Sequence, residues 1–420
     1  MKGGMYFYRG SGAVATRSVL DGHRCTEPYD TDAPQGAVTV DVWTAGERTG
    51  TTTLAEPGDL VRWVEGIELG SGFPKGAIRP GGGYRQPLRF VEMLVNNPKS
   101  LSVVATQNPA VAAALDRVLE RQADEIARYL SSVAVTRIGP KGAQREVGGL
   151  TVETARVMHR TSRAGDPYAH IRLMLNTRVK TPDDTWHALH SAAIRQHIGA
   201  VHERGHRVLV TDLALRRVFA SEGYTLGVDG EINEARKAVG LLSKRARAIG
   251  QKCKRIETGW RKAHPGQEPT QRVLNGWKQQ AWAEDRPTKP SGLSENPEEL
   301  AERVRAELAG AGFDFITRRA PVEAVWVTVG QVARDQLAEE AVAVLSAAKS
   351  TWSTADPTAT VEAAVSRSGV VGDPQSVSEL VEDVAARAAR RCASVLDPVP
   401  HTPTSMSRHL TSEALPGVIA

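Results

Sequence analysis

Residues 150–180, LTVETARVMHRTSRAGDPYAHIRLMLNTRVK, constrain the fold more than any other stretch. Two runs rich in β-branched and apolar residues, 150–162 and 169–180, are separated only by the polar, turn-forming RAGDP segment. Such a connection reads as two neighbouring strands joined by a tight hairpin. Side chains alternate along a strand, so Ile171, Leu173 and Leu175 share one face and His170, Arg172, Met174 and Asn176 share the other. The apolar trio explains how this strand is buried. If the hairpin forms, His159 lies beside His170 and two imidazoles can converge on one ion. Two ligands are too few to specify a metal. The plainer alternative, two ordinary polar residues on a half-exposed sheet, stays open on spacing alone.

The rest of the chain supplies further strands and long helices. MYFYRG (5–10) and AVTVDVW (37–43) read as strands, and the tyrosines of the first are read as strand packing. Residues 12–35 are mixed and turn-rich, and 70–87 are loop by their Gly and Pro content. An apolar strand runs through Val95 to a turn at Asn97-Pro98, and a second apolar stretch follows. Residues 108–133 begin with an Asn cap and a Pro in the first turn, which predicts a long amphipathic helix. Residues 185–224 read as mostly helical, and YTLGVDGEI as a hairpin built on Asp229-Gly230. The expected fold is α+β, a central antiparallel sheet with flanking helices, followed by a helical C-terminal region. The expected divisions are a domain at 1–286, a polar Pro-rich linker at 287–299, a helical region at 300–398 and a flexible tail at 399–420.

Charge narrows the partners. The net charge is +5, and Lys and Arg concentrate in 236–262, with Trp260 and Trp277 nearby. A basic helix is most often only a solvated face, yet this concentration raises contact with nucleic acid above the ordinary expectation. No run approaches the ~20 apolar residues of a membrane span. The N-terminus lacks the apolar core of a secretory signal, so a cytoplasmic protein without a membrane segment is expected. The three cysteines are scattered and odd in number, which argues against a disulfide framework or a cysteine zinc site.

The segment HRTSRAGDPYAHIR resembles the signature of the TrwC/TraI-type conjugative relaxases, the MobF branch of the HUH endonucleases. His159, Ser162, Arg163, Asp166, Pro167, His170 and Asn176 fall on that pattern. A second block is similar in its acidic strand and its PKS-x-S segment, with Pro98, Lys99, Ser100 and Ser102 in register. TWHALHSAAI and GYTLGVDGEI resemble the segments that follow, so the likeness reaches about residue 290. It implies an enzyme that cuts one strand at an origin of transfer. A tyrosine hydroxyl attacks the scissile phosphodiester, leaving a 5′-phosphotyrosine and a free 3′-hydroxyl, and the strand is then rejoined or transferred. It also implies a divalent ion, Mg2+ or Mn2+, held by histidines and polarising the phosphate. On this basis Tyr29 is the expected nucleophile, Glu92 the acidic residue, and His159 and His170 the metal ligands. Expected DNA contacts are Lys99, Arg163, Lys244, Arg245 and Lys254, on single-stranded origin DNA, with other conjugation proteins as further partners. Trp186 is read as a core residue before a base-stacking one.

Three departures from the pattern carry consequences. Arg172 occupies the third histidine position, and a guanidinium cannot ligate a cation. Reduced metal affinity is therefore expected, with Arg172 taking part of the electrostatic role as a phosphate clamp. His187 and His190 are read as surface residues rather than replacement ligands. In place of paired tyrosines the chain has CTEPYDTD, leaving Tyr29 alone there; Tyr6 and Tyr8 are the other tyrosines near the N-terminus, with strand packing the preferred reading for both. Thirdly, the helicase of longer relatives needs a Gly-rich nucleotide loop, and GSGFPKGA lacks its terminal hydroxyl residue, so no bound nucleotide and no ATPase are expected. Two other readings remain: a weakened relaxase-like protein that binds origin DNA without cutting it, and a rolling-circle replication initiator.

Overall fold

The structure is a computed structural model and describes residues 4–20, 37–77, 86–162, 164–284, 296–313, 320–353, 355–394 and 410–411. Its first part contains strands β1 (Met5–Arg9), β2 (Thr39–Thr44), β3 (Glu47–Thr53), β4 (Leu88–Asn96), β5 (Val135–Ile138), β6 (Arg145–Gly148), β7 (Thr151–Thr161), β8 (Pro167–Lys180) and β9 (Trp186–Ala188). Seven of these form one antiparallel sheet in the order β1-β4-β8-β7-β2-β3, with β9 paired to the end of β8. Strands β5 and β6 make a separate hairpin. The central antiparallel sheet is the one expected, and the two histidine-bearing runs are its neighbouring strands β7 and β8.

Helices α1 (Gly12–Leu20), α2 (Pro57–Val64), α3 (Lys99–Ala105) and α4 (Pro109–Val133) flank the sheet. After β9 come α5 (Ser191–Gln196), α6 (Ile198–Val210), α7 (Leu213–Ser221), α8 (Arg236–Leu241), α9 (Lys244–Ala263) and α10 (Gln271–Glu284). The C-terminal part holds α11 (Pro297–Gly310), α12 (Arg334–Ala348), α13 (Ala355–Arg367) and α14 (Pro374–Arg390).

Helix α4 starts where the sequence says it should. The Asn108 side chain accepts from the Val111 amide at 3.1 Å, and Pro109 occupies the first turn. Its apolar stripe, Val111, Leu115, Val118, Leu119 and Ile126, packs on Val91, Met93, Val95, Ile171, Leu173 and Leu175. Each such side chain contributes roughly 1.5–3 kcal/mol on leaving water. Among the described residues the opposite sheet face is covered only in part. Leu60 and Trp63 of α2 pack there on Phe90, Ala155, Val157 and Met174. Beyond them, that face carries the polar residues of the site.

Helix α2, helix α1 and strand β3 were not legible. The Pro57-Gly58 start of α2 reads as a turn, and β3 is an exposed edge strand, ERTGTTT, with no apolar alternation. The second apolar stretch after Pro98 is helix α3, and TWHA opens with the short strand β9 before the helices. The expected hairpin at Asp229-Gly230 is a tight reversal closed by a single bridge between Leu226 and Ile232. Gly230 has φ +75 there, and a Cβ on it would meet Leu209 Cδ2 at 2.9 Å.

The C-terminal helices are not set apart from the sheet domain. Leu300, Val304 and Leu308 of α11 pack with Val103, Ala238 and Leu242. Helices α12–α14 share a core that includes Leu337, Val361, Val365 and Leu380. The buried Glu362 of α13 pairs with Arg207 and, at 2.9 Å, with Arg204, both on α6. Most of the expected linker, and the expected tail except for Leu410 and Thr411, lie outside the described residues.

Candidate active site

Register on β8 decides which side chains meet. His170 stands opposite His159 on β7 and Asn96 on β4, while Arg172 stands opposite Val157 and Leu94. Met174 pairs with Glu92, and Tyr6 of β1 lies beyond Glu92. The two imidazoles are stacked, with centroids 5.2 Å apart and planes 13° from parallel. His170 Nδ1 lies 2.8 Å from the Tyr168 carbonyl oxygen. A carbonyl only accepts, so Nδ1 carries the hydrogen, and in the neutral ring Nε2 carries the lone pair.

Beside the histidines, Arg172, Glu92 and Tyr8 close a three-membered ring of hydrogen bonds. Arg172 Nε donates to Glu92 Oε1. The Tyr8 hydroxyl donates to Glu92 Oε2 at 2.9 Å, and Arg172 Nη2 donates to the Tyr8 oxygen at 3.3 Å. Burial works against the charge on Arg172, but the Glu92 carboxylate and its hydrogen bond, with Tyr8, outweigh it and push the pKa up. The Tyr8 ring stacks on Phe90 at 4.6 Å. Packing therefore describes its ring but not its hydroxyl, which points into the site. Nearby, Asn96 Nδ2 donates to the Tyr168 hydroxyl, and burial pushes the Tyr168 phenol up.

Several motif residues hold this site together rather than line it. Ser102 accepts from the Ala169 amide at 3.0 Å, which ties α3 to the start of β8. Ser100 accepts from Ile232 at 3.0 Å. Asp166, buried, accepts from Lys99 Nζ at 3.1 Å and from the Lys244 amide at 2.9 Å, which anchors α9 to the loop before β8. Burial lowers the Lys99 pKa, and Asp166 opposes that shift. Asn176 donates to the Trp63 carbonyl at 3.1 Å, holding α2 against β8.

The sequence matches the TrwC relaxase family over residues 9–311. The chain belongs to the TrwC relaxase family. Similar solved structures include the conjugative relaxase TrwC in complex with OriT DNA, metal-free, at 19% identity, TM-score 0.52, covering 74% of this chain and 100% of that one. A copper-bound TrwC complex matches at 19% identity and TM-score 0.54, over 74% and 99% of the two chains. TrwC complexed with a 27-mer comprising the recognition hairpin and the cleavage site matches at 19% and 0.53, over the same shares. No curated protein matches the chain. The relaxase family match includes α11.

Does this relaxase offer a metal site? Among the described residues no group of three His, Cys, Asp or Glu side chains is placed to hold an ion. The third position carries the Arg172 guanidinium, roughly 7 Å along the strand from His170, and Glu92 is engaged by that guanidinium. His187 pairs with Val179 on β8, nine residues and about 30 Å of strand away from His170. His190 contacts Glu146 at 2.9 Å. Neither completes the set. The described residues fit a two-imidazole site and not a three-histidine one.

Of the other expected site residues, Glu92, His159, His170 and Arg172 come together on one sheet face. Tyr29 and Arg163 lie outside the described residues. Lys99 is committed to Asp166, and Lys244 Nζ pairs with Glu307 at 2.7 Å. Arg245 follows it on α9, and Lys254 is exposed further along that helix. Trp186 is half-buried, not a core residue, and lies between Lys75 at 5.2 Å and Lys180 at 5.9 Å from its ring centroid. Sequence reasoning set Tyr8 aside as strand packing in favour of Tyr29, and missed Asn96 and Tyr168. No local signal said that β1 would pair with β4 and so bring the Tyr8 hydroxyl to Glu92.

Among the described residues no helix is long and apolar enough to cross a membrane.

Proposed function

We propose that this relaxase nicks one strand of single-stranded DNA at an origin of transfer of a mobile element and rejoins or transfers it through a 5′-phosphotyrosine. The observation that supports it is the gathering of His159, His170, Arg172 and Glu92 on one face of the sheet in a TrwC-family chain. The TrwC structures it resembles hold OriT DNA. Tyr29 is the proposed nucleophile, on its sequence context. Its phenol gives up its proton to water and the oxygen attacks phosphorus, the P–O3′ bond breaks, and O3′ leaves with the electron pair and takes a proton from water.

His159 and His170 would hold a divalent ion, Mg2+ or Mn2+, which supplies polarisation of a phosphate oxygen. With a cation at the third position, that ion is weakly held. Arg172 bears the complementary task. A guanidinium presents five donors in a planar fork, enough to keep Glu92 and also meet a phosphate oxygen. Lys254, Arg245 and Arg163 neutralise the DNA backbone. Such chemistry belongs in the cytoplasm, beside the element's DNA.

A denaturing gel tests this reading. Incubation with 3′-biotinylated single-stranded DNA should give a protein band retaining biotin, and upstream fragments ending in a free 3′-hydroxyl. Tyr29→Phe should remove the adduct that maps to the Tyr29 peptide. Binding with no adduct and no nick would favour a relaxase-like protein that binds origin DNA without cutting it, the reading that Arg172 in place of histidine supports.

A further inference from the structure

We infer that Tyr8 is a nucleophile of this site in its own right, able to take the 5′-phosphate of the cleaved strand. The inference rests on the nicking reading above. A phenol becomes a nucleophile when a base can take its proton and a third group orients that base. Both conditions are met at Tyr8. Its hydroxyl hydrogen points at Glu92 Oε2, 2.9 Å away, and Glu92 is held from its other oxygen by Arg172 Nε. Arg172 Nη2 donates to the phenol oxygen at 3.3 Å, so negative charge developing there meets a guanidinium. The ring cannot swing away freely, because it stacks on Phe90 at 4.6 Å with planes 15° apart. Tyr8 is only half-buried, which leaves room for a strand to approach.

Tyr168, the phenol beside His170, lacks this arrangement. Tyr168 takes a hydrogen bond from the Asn96 amide, and no carboxylate among its recorded partners accepts its proton. In the step at Tyr8, the hydroxyl proton passes to Glu92 Oε2 and the phenol oxygen bonds to phosphorus. The P–O3′ bond breaks, and O3′ leaves with its electron pair and is protonated by water. The reverse step, attack by a 3′-hydroxyl, returns the proton from Glu92 to Tyr8.

The test uses the full chain, randomised single-stranded oligonucleotides biotinylated at the 3′ end, and added Mn2+. After streptavidin capture and protease and nuclease digestion, mass spectrometry identifies the tyrosine that carries nucleotide. The expected result is a Tyr8-linked peptide from the wild type, retained in Tyr29→Phe and lost in Tyr8→Phe. Adducts only on Tyr29, in wild type and absent from Tyr29→Phe, would overturn the role of Tyr8 and leave the nicking reading standing. No adduct on any tyrosine would overturn both. Because the wild type is mapped directly, the result does not depend on whether Tyr8→Phe folds.

Discussion

Arg172 and Glu92 form a buried ion pair across β8 and β4, on the sheet face that also carries His159 and His170. The position that breaks the family's histidine pattern is therefore built into the site, with a dedicated carboxylate. Removing one partner of such a pair leaves the other charged and buried, at a cost of about 3 kcal/mol. Arg172→Met should lower the urea midpoint accordingly, and adding Glu92→Leu should recover most of the loss. An unchanged midpoint in the single variant would show that the pair is not buried in solution.

Metal dependence follows from the same pair. The wild type should nick DNA in the presence of EDTA at a reduced but measurable rate. Arg172→His removes the cation beside the imidazoles and adds a donor, so it should bind Mn2+ at least tenfold more tightly, ~1.4 kcal/mol. Titration calorimetry reads the affinity. Tight Mn2+ binding by the wild type together with complete inhibition by EDTA would contradict the substitution of a guanidinium for a ligand.

Acid should destabilise the fold through α6. Burial lowers the pKa of His197, with Asp356 opposing, and burial also lowers that of His206. The unfolded chain then binds more protons than the folded one below about pH 6.5, the ordinary histidine value. This stability is present above pH 6.5 and is lost as pH falls toward the depressed folded-state values. His197 Nδ1 also sits 2.7 Å from the Tyr129 hydroxyl, within hydrogen-bond distance. Urea unfolding at pH 7.5 and 5.5 should show the loss, and His197→Gln should shrink the difference; an equal difference in both proteins would exclude this origin.

DNA binding should weaken steeply with salt, because each phosphate neutralised by Lys or Arg releases counterions. Lys254 is exposed on α9, whereas Lys244 is already paired with Glu307. Lys254→Ala should reduce the log–log salt slope by about one. Lys244→Ala should change the slope less and the melting temperature more. Fluorescence anisotropy at several salt concentrations separates them, and identical slopes for all three proteins would remove α9 from the interface.

How much of this was legible varies by element. The alternation of Ile171, Leu173 and Leu175 fixed the polar face of β8, and the short RAGDP connection made β7 its neighbour, so the meeting of His159 and His170 could be read in advance. The Asn108-Pro109 start and apolar spacing of α4 were equally plain. Helix α2 and strand β3 were not, because one begins with turn residues and the other has no buried face to impose a period. The roles of Lys99 and Asp166 were hidden too. Their charges suggest solvent and phosphate, and only α9 docking on the loop before β8 turns them into an internal pair.

Local pattern by itself determined the strands, their buried and polar faces, the family, and the presence of arginine where a ligand is expected. Those depend on periodicity and on residue identity, which a linear chain displays directly. What Arg172 does was decided only by tertiary structure. Strand order places β1 beside β4 and β4 beside β8, and that order brings Tyr8 and Glu92, 84 residues apart, onto one guanidinium. Pairing between distant strands is selected by burial of the whole sheet against α4 and α2, and no single segment encodes it.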